Sequence, residues 1–172
     1  MYRINLDNKK VRKQKIFTGG PMDRSERAIF TNMCMIYDND GNVLVQERKD
    51  QDWGGITFPG GHIEKEESFV DSVIREVYEE TGLHISSPQL CGTKQWIQQD
   101  NARYVVLFYK TNKFTGEITS SEEGEVYWVK LNTLNQMKLA KGMDRMLRVF
   151  LEDDISEHYF YKDNGEWKDD LK

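Results

Sequence analysis

Cysteine is nearly missing from this 172-residue chain, which has only Cys34 and Cys91. Each lies within an apolar run that reads as strand. Two buried thiols are therefore expected, and the disulfide framework of a small secreted domain is not. Long apolar runs are missing too: none approaches the roughly 20 residues that a membrane-spanning helix needs. The basic N-terminus MYRINLDNKKVRKQKIF has neither the apolar stretch nor the small-residue cleavage site of a secretory signal, so the sequence predicts a cytoplasmic protein with no membrane association. A positive charge surplus is also absent. The 24 Lys and Arg against 29 Asp and Glu leave a net charge of −5, which opposes binding of long nucleic acid over an extended basic surface. The cluster KKVRKQK (9–15) reads as a solvated charged run near a terminus, with contact to phosphates as the alternative. No internal repeat or low-complexity tract is visible, and only three prolines interrupt the chain.

What is present suits one domain of ordinary size, with 38% apolar and 31% charged residues. Residues 1–25 end in the turn-rich TGGPMDRSE and read as an extension, residues 26–155 as the domain, and residues 156–172 as a C-terminal extension. Within the domain, RAIFTNMCMIYD (27–38), the turn DNDG and the alternating NVLVQER (42–48) predict a hairpin. LCGTKQWIQ (90–98), RYVVLFYKT (103–111) and EVYWV (125–129) predict further strands. GMDRMLRVFLEDD (142–154) has Met143, Met146, Leu147 and Phe150 at helical spacing. HYFYKDNGEWKDD reads as a hairpin turning at Asn164-Gly165, or as a partner-binding tail. These elements make an α/β (α+β) chain whose sheet is mixed or in part antiparallel.

A helix over about 69–81 has the strongest signals. Ser68 followed by Asp71 is a capping pattern, Phe69, Val70, Val73, Ile74 and Val77 recur at helical spacing, and Gly82 closes the segment. On a helical wheel Glu76 and Glu80 flank the apolar stripe and Glu79 lies a little further round. Like charges so placed repel, and partial burial worsens the repulsion unless a cation neutralises it. Hard divalent ions such as Mg²⁺ answer that need with oxygen ligands.

The 23 residues from Gly61, GHIEKEESFVDSVIREVYEETGL, place Gly61, Glu67, Arg75, Glu76, Val77, Glu79, Glu80, Gly82 and Leu83 at fixed separations. The segment resembles the Nudix box of the MutT-like hydrolases, G-x5-E-x7-R-E-U-x-E-E-x-G-U with U aliphatic, and matches every specified position. The preceding FPGG is also usual in that family. The resemblance implies a Nudix fold, a mixed β-sheet sandwiched between α-helices, and hydrolysis of a nucleoside diphosphate linked to another group. It implies Glu76, Glu79 and Glu80 as metal ligands, with the Gly61 carbonyl. It further implies Arg75 as their orienting partner and Glu67 as a supporting acid. The metal is expected to be Mg²⁺, with Mn²⁺ as a substitute. Family members often recruit an acidic residue from outside the box, and of Glu122, Glu123 and Glu125 the choice falls on Glu123. Arg48, with the backbone of Gly60 and Gly61, is expected to meet the substrate phosphates. His62 is left unassigned, and Trp53, Phe58, Trp96 and Trp128 are candidates for a base pocket or for the core.

For substrate, the compact layout resembles MutT-type enzymes that convert oxidised purine triphosphates such as 8-oxo-dGTP to monophosphate and pyrophosphate. ADP-ribose hydrolases of the family typically carry a proline about fifteen residues beyond the box, where this chain has Ile97 and Gln98. ADP-ribose or another nucleotide sugar, a dinucleoside polyphosphate, and a non-catalytic nucleotide sensor remain alternatives. An isopentenyl diphosphate isomerase-like reaction is disfavoured because Cys34 and Cys91 read as strand core. The sequence leaves a homodimer open.

Overall fold

The computed structural model describes residues 24–49 and 53–172. The basic cluster at 9–15 and nearly all of the proposed N-terminal extension lie outside the described residues. The main sheet is five-stranded and mixed, in the order β1 (Ala28–Ile36), β6 (Arg103–Thr111), β5 (Gln89–Ile97), β9 (Glu157–Asp163), β10 (Glu166–Leu171). β1 runs parallel to β6 and β9 parallel to β5, while the β5–β6 and β9–β10 pairs are antiparallel. An antiparallel second sheet joins β3 (Gly55–Thr57), β2 (Asn42–Arg48) and β8 (Gly124–Lys130), and β4 (His84–Ile85) pairs with β7 (Phe114–Thr115).

Alternation along β1 sorts the core into two layers. Met33 and Met35 face helix α2 (Met143–Leu151), with Met143, Met146, Leu147 and Phe150. Cys34 and Ile36 face helix α1 (Phe69–Thr81), with Val73 and Val77. The two helices therefore cover opposite faces of the sheet, the sandwich that the sequence implied. Burial pushes the Cys34 thiol up, and the part-buried Cys91 thiol rises to about 11; both are free.

Helix α1 has the bounds its local signals predict. Ser68 Oγ accepts from the Asp71 N–H at 3.0 Å, and Gly82 closes the helix in the left-handed conformation at φ 73°. The buried stripe is narrower than expected, because Phe69 and Val70 are both nearly half exposed while Ser72, Glu80 and Thr81 are buried. Phe69 instead packs its ring on Phe30 at 5.3 Å. Helix α2 ends at Leu151, short of residue 154.

The expected hairpin of 27–38 with 42–48 does not form. Tyr37 bridges to Val43 and the Asp38 N–H donates to the Asn42 carbonyl, after which β2 departs into the other sheet. The free edge of β1 is already occupied. The Asn32 N–H donates to the Gly61 carbonyl (2.9 Å), Cys34 N–H to that of Pro59 (2.8 Å), and Ile63 N–H to that of Phe30 (3.0 Å). With the edge groups of β1 satisfied by the 59–63 loop, β2 has nothing there to pair with.

The C-terminal hairpin does form, turning at Asn164 (φ 51°) and Gly165 (φ 86°), the two positive-φ positions that a two-residue hairpin turn demands. Its first strand joins β5, so the tail widens the main sheet. Among the described residues no helix is long and apolar enough to cross a membrane.

Candidate active site

The 59–63 loop lies between β1 and α1, and at two of its positions a side chain would collide with a neighbour: with backbone at Gly60, and with the Glu76 carboxylate, which would have to move, at Gly61. A Cβ on Gly60 would fall 2.3 Å from the Asn32 carbonyl oxygen, and one on Gly61 would fall 2.3 Å from Glu76 Oε2. Helix α1 thereby brings the Glu76 carboxylate directly under the loop backbone. One turn further, Glu80 Oε2 accepts the Gly60 N–H at 2.8 Å.

Arg75 uses all five of its N–H donors. Nε and Nη2 clasp Glu67 in a two-pronged pair at 2.8 and 2.9 Å, Nη1 reaches Glu76 and Glu79 at 2.9 Å each, and Nη2 also donates to the His62 carbonyl at 3.1 Å. The guanidinium holds the Glu67 carboxyl down at about 2. Glu76 moves the other way, because burial outweighs the pull of Arg75. Glu79 is the outermost carboxylate, its side chain 56% exposed.

Glu80 is 4% exposed, and its Oε1 is buried without a hydrogen-bond partner. Burial, together with the adjoining Glu123 carboxyl, pushes it up to about 8 against the opposing Gly60 N–H. Glu123 stands beside the Arg48 guanidinium at 3.5 Å. The set fits a hard divalent cation by its chemistry: carboxylate oxygens, an orphaned buried Oε1, and a glycine where any side chain would displace Glu76. In the geometry shown, Arg75 gathers Glu67, Glu76 and Glu79 to itself. Among the described residues no three His, Cys, Asp or Glu side chains are grouped as a ready metal cage. The Gly61 carbonyl accepts from Asn32, which leaves it a second lone pair.

Glu80 makes stability pH-dependent in the metal-free protein. Its folded-state pKa is raised, so from about pH 4.5 to about 8 the folded state holds a proton that the unfolded chain has released. Stability then falls as pH rises through that window. Melts in a chelator should lose about 2 °C or more between roughly pH 5 and pH 8.5. Adding a divalent cation at the higher pH should recover the loss by mass action. A melting temperature that is flat with pH and indifferent to the ion would rule out the buried, protonated Glu80.

A cleft of about 760 Å³ opens beside the carboxylates. Arg48, Gly60, Gly61, Glu76 and Glu123 line it, as do Trp53, Phe58 and Trp96 among the aromatic candidates. Trp128 does not. It is paired across from Leu44 and packs on Phe114 at 5.1 Å, in the layer on the α1 side of the sheet. The sequence reading missed Lys94, Tyr104, Phe160 and Trp167, which all face the cleft. Alternation along β5 places Lys94 and Trp96 on one face and was a usable signal. Nothing in the tail motif pointed to a binding wall. Burial lowers the pKa of Lys94, with Asp169 opposing the shift. His62 Nε2 lies 3.3 Å from Tyr104 Oη at the cleft rim.

The NUDIX domain model matches residues 30–150. The chain is 33% identical over 124 residues to YvcI of Bacillus subtilis (strain 168), described as an uncharacterized Nudix hydrolase, covering 69% of this chain and 77% of that protein. It is 27% identical over 119 residues to an ADP-ribose pyrophosphatase of Methanocaldococcus jannaschii, covering 67% of this chain and 69% of that one. In fold it is similar to the crystal structure of a MutT protein from Bacillus halodurans, with a TM-score of 0.68, 24% identity, and coverage of 83% of this chain and 97% of that chain.

Proposed function

The chain belongs to the Nudix family, hydrolases of pyrophosphate bonds that generally use divalent metal ions, and we propose that its substrates are nucleoside triphosphates, cleaved with Mg²⁺ to monophosphate and pyrophosphate. The oxidised purine nucleotide 8-oxo-dGTP is the substrate we name, within the cytoplasmic nucleotide pool. One observation carries this reading: Glu76 and Glu123 stand at the edge of a cleft that also offers cationic Arg48 and Lys94 and several aromatic faces. Phosphates and a planar base would find complementary surfaces in that cleft.

In this reading Glu76, Glu79, Glu80 and Glu123, with the Gly61 carbonyl, hold the ion. When bound, it neutralises phosphate charge and polarises the phosphorus for attack by water. Arg75 keeps the outer carboxylates aligned, and Glu67 locks Arg75 by its two-pronged pair. Arg48 and the backbone of Gly60 and Gly61 receive the phosphate oxygens, and a glutamate of the set takes the proton of the attacking water. The near-complete burial of Glu80 keeps water from competing for its carboxylate.

ADP-ribose is the second reading, favoured by the Methanocaldococcus jannaschii relative and disfavoured by Ile97 and Gln98 in place of the expected proline. A panel of 8-oxo-dGTP, dGTP, ADP-ribose and diadenosine tetraphosphate, assayed with Mg²⁺, Mn²⁺ or chelator, separates the readings. Preferred cleavage of 8-oxo-dGTP with release of pyrophosphate is expected. Preferred cleavage of ADP-ribose to AMP would move the assignment to the second reading. Nucleotide binding without cleavage would favour a sensor.

A further inference from the structure

Two aromatic rings of the cleft come from beyond residue 150, where the family match ends: Phe160 on β9 and Trp167 on β10, with ring centroids 5.6 Å apart. The hairpin that carries them is fastened to the domain from two sides. β9 pairs with Thr93, Lys94 and Gln95 of β5. The fully buried His158 places Nε2 3.0 Å from Asp169 Oδ2, which also accepts from Arg145 Nε on α2 at 2.8 Å. A wall anchored in this way presents its rings in fixed positions.

Lys94 stands at the junction of this wall with the rest of the cleft. Its Nζ lies 5.4 Å from the Phe160 centroid and 5.5 Å from that of Trp96, which stacks on Tyr104 at 4.4 Å. The ammonium is a donor with no acceptor, so it bonds to a carbonyl oxygen or ring nitrogen and opposes an exocyclic amine. A guanine-type base offers O6 and N7 as adjacent acceptors, whereas adenine places an amine donor at the same edge. Flat bases of either kind stack on aromatic side chains, so stacking alone does not discriminate between them.

We propose that the β9–β10 hairpin is the base-recognition wall of the cleft, and that Lys94, held between Trp96 and Phe160, selects bases with a keto group over those with an amine at the same edge. The inference rests on the nucleotide reading above and narrows its substrate class to oxo-purine nucleotides.

Its test measures kcat/KM for GTP, ITP, ATP and the base-free methyl triphosphate in the wild type, Lys94→Met and Trp167→Ala, with thermal melts to confirm folding. The wild type should favour GTP and ITP over ATP by about tenfold or more. Lys94→Met should erase that preference. Trp167→Ala, made at a half-exposed position, should raise KM for GTP and shrink the advantage of GTP over methyl triphosphate by about tenfold. An unchanged GTP to ATP ratio in Lys94→Met overturns the selectivity, and an unchanged GTP to methyl triphosphate ratio in Trp167→Ala overturns the wall. Wild-type cleavage of nucleotides with no base preference defeats this inference alone. Cleavage of none of these nucleotides, and none of 8-oxo-dGTP assayed beside them, defeats the underlying functional reading with it.

Discussion

Replacing Glu76 by glutamine is expected to lower kcat by about two to three orders of magnitude, the scale seen when one preorganised electrostatic group is removed from a reaction centre. The substitution is nearly isosteric, so it leaves the Gly61 cradle and the helix packing in place. It removes one negative charge that meets Arg75 at 2.9 Å and lines the cleft. Folding should be spared. Glu76 is mostly buried, its side chain 14% exposed, and repelled by Glu79 and Glu123, so a neutral amide relieves strain in the metal-free protein even as it loses half of an ion pair. The expected signature is a melting temperature within a few degrees of wild type, a collapsed kcat, and a higher Mg²⁺ concentration for half-maximal activity. Wild-type turnover in the folded variant would remove Glu76 from the reaction centre.

Val73→Asp should have the largest effect on stability. Val73 is fully buried, in the layer that also holds Cys34, Ile36, Leu44 and Val77. A carboxylate there has no partner, and burying it costs several kcal/mol, or forces protonation at a comparable cost. Domains of this kind have only about 5–15 kcal/mol to lose. The variant should therefore unfold at ambient temperature, or melt at least about 10 °C lower. The same change at Val70, 43% exposed on the next position round the helix, should shift stability by only about 0.5 kcal/mol. Equal melting temperatures for the two variants would mean that the wrong face of α1 has been assigned to the core.

Helix α1 was legible down to its ends because its cap, stripe and closing glycine are all local. The acidic cluster was legible for the same reason: residues three and four apart on a helix are neighbours wherever the helix sits. The Asn164-Gly165 hairpin turn was equally self-contained. The stripe was overread at Phe69 and Val70, since periodicity shows which residues share a face but not how far the sheet beneath extends.

The hairpin of β1 with β2 failed for a reason that no local window contains. Its turn signal is real, and Asp38 does accept from the Asn42 N–H at 2.9 Å. The pairing was lost to a loop more than twenty residues away in sequence, which holds the edge of β1. Of the two places open to Trp128 the structure takes the core, a choice the sequence could not make because it marks the strand but not which helix that strand's face meets.

By itself the sequence determined the spacing of the carboxylates on one helix face, the glycines above them, and the family to which that spacing belongs. These follow from short-range geometry, in which a residue's neighbours along the helix are its neighbours in space. Tertiary structure alone decided that Glu123 stands against Glu80, that Glu80 loses contact with water, and that Lys94, Phe160 and Trp167 close the cleft. Those placements depend on strand edges competing for a limited set of backbone partners and on layers sharing one core, and both are settled between segments far apart in the chain.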